Sequence, residues 1–115
     1  MLREEPQAPD LLATARDVLL NELLPALPPE KAFAARMVAN AMAIAGREAA
    51  QDAGWEPQVL ARMAALAGDP RAFAAGIRAG GFDPGSAGHD AAAALLDELT
   101  RARCAVSAPR ALGKG

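Results

Sequence analysis

The sequence predicts an all-α protein, and three observations carry that expectation. About a quarter of the chain is alanine, the residue with the highest helix propensity and no side-chain entropy to lose. Aromatic residues contribute only 3% although hydrophobic residues make up 52%, and β-branched residues are also scarce, so the usual strand formers are missing. Apolar residues recur at helical spacing, in segments separated by proline and glycine. At 115 residues the length suits one domain. The expected architecture is a single-domain bundle of about five mostly antiparallel helices around a buried second helix, spanning 9–107. Loose tails are expected at 1–8 and 108–115.

The first helix is expected to open at Pro9 or Asp10, where proline suits a first turn and a carboxylate suits the positive end of the helix dipole. Leu12, Ala15, Leu19 and Leu23 repeat along one face, widened by Leu11 and Val18, while Asp10, Thr14, Asp17 and Asn21 gather opposite. Pro25 disfavours helical geometry at Leu24 and ends the helix there. The stiff link through Pro28 and Pro29 is short enough to make the next helix an antiparallel neighbour.

The second helix is expected from about Glu30 to Asp52. Between Ala32 and Gly46 only Arg36 and Asn40 are polar. At helical spacing Arg36, Asn40, Arg47 and Gln51 fall in one narrow stripe. Phe33, Met37, Val38, Ala41, Met42, Ile44 and Ala45 cover most of the remaining circumference, a pattern expected of a helix buried nearly all round. Gly54 suits the end of this helix, and Trp55 is expected in the connection, as a lid over the edge of the core.

Pro57 suits the start of a third helix whose Val59, Leu60, Met63 and Leu66 face inward, ending at Gly68. Asp69-Pro70 forms an N-cap and first-turn pair for a fourth helix, with Phe73 and Ile77 inward and Gly80-Gly81 at its close. The run FDPGSAG from Phe82 to Gly88 is expected to be the most flexible loop. A fifth helix from about Ser86 or His89 to Cys104 points Ala92, Leu95, Leu96, Leu99 and Ala102 inward. The final SAPRALGKG is expected to be extended or frayed.

A net charge of −2 and an isoelectric point near 5.3 provide no basic field for nucleic acid or an anionic membrane. The single cysteine, Cys104, fits a reducing compartment, and no apolar run approaches the ~20 residues of a membrane span. The acidic, proline-containing start does not resemble a secretory signal. The expected location is the cytoplasm.

Catalytic chemistry finds little support. His89 is the only histidine, whereas a metal site needs several convergent ligands. It is expected to be a solvated residue at a helix start. Cys104 lies in an apolar context and is expected to be structural, because a reactive thiolate needs an electropositive setting. The glycines of GGFDPGSAG lack the lysine and preceding strand of a phosphate-binding loop. Ser86 and Ser107 lack a nucleophile elbow, and the carboxylates are scattered rather than paired. No catalytic residue, metal ligand or cofactor is therefore assigned. The stripe Arg36, Asn40, Arg47 and Gln51 is the candidate binding surface, since guanidiniums and amides can hold a phosphate or carboxylate. The favoured reading of that stripe is the one solvated edge of a buried helix.

Three stretches in order, LLATARDVLLNELLPALPPEKAFAARMVANAMAIAGRE, IRAGGFDP and LLDELTRARCAVSAPRAL, resemble a bacterial family of small all-helical domains of unknown function. Its members share an amphipathic first helix ending in LLP-x-L, a second helix A-R-V-A-x-N-x-L-x-I-x-x-R-E, and a terminal L-x-V-x-N-P-R-Y. Arg36, Asn40, Arg47 and Glu48 stand at the polar positions of the second pattern. Ala108 replaces the asparagine and Ala111 the tyrosine of the third, which weakens any role for Arg110. Genes of such domains lie beside, or fused to, aminoglycoside-phosphotransferase-like kinases and acyl-CoA dehydrogenases. The resemblance implies a non-catalytic accessory domain partnering such a kinase near acyl-CoA metabolism. A second reading is a small acyl-CoA or phosphate-ligand-binding protein or enzyme using Arg36, Asn40 and Arg47. A third is a homodimer formed through an alanine-rich face.

Overall fold

A computed structural model describes residues 4–113; its regular structure is all helical, with no strand among the described residues. The expectations for residues 1–3 and 114–115 as parts of loose tails lie outside the described residues. Five α-helices follow in order: α1 Ala8–Val18, α2 Ala32–Ala49, α3 Trp55–Ala67, α4 Pro70–Arg78 and α5 His89–Ser107. The packing separates two compact units, Met1–Gln51 and Asp52–Gly115.

In the first unit α1 and α2 form an antiparallel hairpin. Leu12, near the start of α1, lies against Gly46, near the end of α2. One turn along α1, the Nε of Arg16 donates to the Ala39 carbonyl at 3.1 Å. The seam is built from small residues, with Ala35 and Ala39 buried, so the two backbones can approach closely.

Beyond Val18 the helix changes winding. Leu19–Leu23 is a π turn, closed by the Leu24 N–H bonding to the Leu19 carbonyl, and Leu24–Ala26 tightens to a 3-10 turn. This inserts a residue into the inward register. Leu12, Arg16, Leu19 and Leu20 are half-buried, and the next inward position is Leu24, whereas the expected Leu23 is 51% exposed. Ala15 is exposed as well.

The expectation of a buried second helix does not hold. Only Ala35 and Ala39 are buried on α2; Phe33 is 74% exposed, Met37 52% and Val38 49%, with Ile44 half-buried. Within its unit a single helix packs on α2, and it covers the small side chains. Alanines on the other faces hold the helix by propensity and leave little apolar area in water.

The second unit contains the buried core. Val59 and Met63 of α3, Phe73 of α4, and Ala92 and Leu95 of α5 form one cluster, with Trp55, Leu66, Ala67, Phe82 and Leu99 packed around it. Leu95 is wholly excluded from solvent. Helices α3 and α5 run antiparallel: Arg62 pairs with Glu98, while Leu66, one turn on, lies across a groove from Ala91.

Helix α3 starts earlier than expected. The Asp52 Oδ1 accepts from the Gly54 N–H at 3.1 Å and its carbonyl from the Trp55 N–H at 3.2 Å. This turn, built on the aspartate side chain, makes Trp55 the first helical residue instead of part of the connection. Leu60, Ile77 and Leu96, all expected inward, are 43%, 37% and 38% exposed.

The Asp69 cap is present, its Oδ1 accepting from the Ala72 N–H at 2.8 Å. Helix α4 ends in a Schellman motif: Gly81 N–H bonds to the Gly76 carbonyl at 2.9 Å and Gly80 N–H to the Ile77 carbonyl at 3.1 Å. Gly80 takes the left-handed conformation, φ 83°, that this motif demands. The segment Phe82–Gly88 is a chain of hydrogen-bonded turns. Pro109–Leu112 forms a 3-10 turn where extended backbone was expected, because the fixed φ of Pro109 suits the start of a helical turn.

Candidate binding surfaces on the first two helices

The four stripe residues lie along one side of α2 and the turn that follows it. Arg36 and Asn40 are exposed one turn apart, Arg47 is half-buried, and Gln51 is exposed just past the helix end. Arg47 and Gln51 are both engaged in interactions. The stripe is not the sole solvent-facing edge of α2, since Phe33 and Met37 are exposed beside it and Val38 is exposed on another face. Two surfaces of different character result. One is an apolar ridge, Phe33 and Met37 one turn apart, with Arg36 and Asn40 close by. The other is a groove.

The groove runs between the start of α1 and the end of α2, with a volume of about 290 Å³. Leu12, Ala13, Met42 and Gly46 form most of its apolar lining, and Arg16 and Arg47 supply its charge. Arg16 is held in place because its Nε is committed to the Ala39 carbonyl. Sequence patterning passed over this residue as one more polar position. Its signal was the four-residue spacing from Leu12, which places it on the packing side of α1.

The second unit contains the only histidine, the only cysteine and both serines of the sequence. His89, expected to be solvated, is half-buried, and its Nδ1 lies 2.9 Å from the Phe82 carbonyl, tying the loop to α5. Cys104 is half-buried, and the Ser107 hydroxyl donates to the Arg103 carbonyl at 3.0 Å. A groove of about 250 Å³ between α3 and α5 is lined by Arg62, alanines and leucines. Among the described residues no three metal-ligating side chains converge, and no helix is long and apolar enough to cross a membrane.

No curated protein and no solved structure matches the chain. A family model does, over residues 25–111, from within the 3-10 turn Leu24–Ala26 to within the last 3-10 turn. It thus includes Arg36, Asn40, Arg47 and Gln51 but not α1. On that match the chain belongs to the family described as a domain of unknown function, DUF6285.

Proposed function

We propose that this protein is a non-catalytic accessory domain that docks a partner protein on the exposed ridge of α2. The observation that carries the reading is Phe33, 74% exposed on a regular helix, with Met37 one turn further at 52%. Large apolar side chains grouped on one exposed face mark interaction surfaces far more often than isolated ones do. Phenylalanine, methionine and arginine are also enriched in interfaces. Arg36 and Asn40 beside the ridge select a partner whose apolar patch is bordered by carboxylates.

The partner we propose is the aminoglycoside-phosphotransferase-like kinase of the related gene neighbourhoods, in the cytoplasm and near acyl-CoA metabolism. The test is co-purification of the full chain with that kinase. Phe33→Asp and Arg36→Glu should each abolish capture while helicity is retained. Capture by an acyl-CoA dehydrogenase instead, or a dimer by light scattering that Phe33→Asp dissolves, would reassign the ridge. Kinase capture unaffected by both substitutions would remove it from the interface.

A further inference from the structure

We propose that the α1–α2 hairpin pairs with a second copy of itself through the apolar side opposite the groove, the two hairpins completing a four-helix bundle. This goes beyond the docking reading and uses neither the ridge nor the groove.

The two sides of the hairpin follow from its seam. Along α1 and its continuation the inward positions are Leu12, Arg16, Leu19 and Leu24. Along α2 they are Ala35, Ala39, Met42 and Gly46. A step of one residue turns about 100° around a helix. In two antiparallel helices the residues just after the inward positions therefore share one side of the hairpin, and those just before them share the other. The first side has Asp17, Arg36, Asn40 and Arg47, and the groove opens on it. The second side has no polar residue at the corresponding positions. Leu11, Ala15, Val18 and Leu23 stand there on α1 and its continuation, and every one is exposed. Ala34, Val38, Ala41 and Ala45 stand there on α2, equally exposed.

Three observations select a second copy as the occupant. The hairpin buries only Ala35 and Ala39, with nothing buried on α1, so two helices lack the core that a bundle of four would supply. None of the eight positions has a charge, so the fitting occupant is another uncharged helical face, and an isologous pair provides an identical one. The face is also large enough. Two helices about 25 Å long, spaced about 8–10 Å apart, bury on the order of 1,000–1,500 Å² when the face pairs with its copy, which reaches the range of stable interfaces. A two-fold axis along the bundle seats each α1 on the α2 of the other copy, antiparallel to it. The leucines of α1 then meet a surface made mainly of alanine, where helices approach closely.

The experiment is gel filtration with light scattering on the full chain. It should give twice the 11.8 kDa of one chain. Val38→Glu and Ala41→Glu, both at exposed positions and both suited to a helix, should each return the mass of one chain. Asp17→Lys, on the charged side, should leave the dimer intact, and so should Phe33→Asp on the ridge. Dimerisation and kinase docking therefore fail independently. Circular dichroism on each variant separates lost pairing from lost folding.

The proposal is overturned if the chain has the mass of a monomer at every concentration, or if the dimer survives both Val38→Glu and Ala41→Glu. A dimer that Phe33→Asp or Asp17→Lys dissolves overturns it as well, since the contact would then lie on another face.

Discussion

Phe82 shows how much one residue can depend on what its neighbours lack. Its ring meets Phe73 edge-on, centroids 5.3 Å apart at 70°. A methyl group at Gly76 would sit 2.9 Å from the Phe82 Cε2, and one at Gly88 would sit 3.1 Å from its ring. The ring is therefore packed tightly against two positions that lack a side chain, most tightly at Gly76. For Gly76→Ala two effects oppose each other. Helix propensity favours alanine by about 1 kcal/mol, while overpacking a ring held by the core costs about 1–3 kcal/mol. The clash should win, and urea denaturation should report a net loss of stability. Leu95→Ala should be more damaging, about 2–5 kcal/mol, since that side chain is completely excluded from water. The same truncation at Leu60, 43% exposed, should stay near or below about 1 kcal/mol.

At the level of the elements, the α1–α2 hairpin makes the opposite case for the same substitution. A methyl group at Gly46 would meet the Leu12 Cβ at 3.9 Å, an ordinary contact. Gly46→Ala should therefore gain about 0.5–1 kcal/mol from helix propensity alone, visible as a raised Tm. The π turn at Leu19–Leu23 provides a second comparison. It moves the inward position from Leu23 to Leu24, so Leu24→Ala should destabilise the chain more than Leu23→Ala. Equal effects in thermal unfolding would mean that the register continues as a plain α-helix. Capping was the most legible part of these elements. Asp69-Pro70 announced the start of α4 and Gly80-Gly81 its end, because both are local chemistry within a few residues. The early start of α3 was less visible, since it depends on the Asp52 side chain turning back on its own backbone.

Across the whole molecule, burial is unevenly distributed. The Asp52–Gly115 unit contains a five-residue buried cluster, whereas the hairpin buries only Ala35 and Ala39. Segments with few buried apolar contacts open at lower free energy. Hydrogen exchange should therefore be faster for the amides of α1 and α2 than for those of α3 and α5 around Met63 and Leu95. The exposed ridge carries a matching expectation: Phe33→Asp should change unfolding free energy by no more than about 0.5 kcal/mol, despite replacing a large apolar residue. A greater loss would show that Phe33 serves folding.

The sequence by itself determined the class, the number of helices and most of their ends. Alanine content, missing strand formers and proline or glycine punctuation act on the backbone within a turn or two, and need no partner to be read. It also put Val59, Met63, Phe73, Ala92 and Leu95 on inward faces, where the structure has them. Only the tertiary structure decided which apolar face is covered. On α2 nearly every side is apolar by composition, so periodicity contains no preferred direction. Close packing against α1 selected Ala35, Ala39 and Gly46, the smallest side chains, and left Phe33 and Met37 outside. The groove was hidden for the same reason. Arg16 and Arg47 are 31 residues apart in the chain, and they line one groove only because two helices fold back to back.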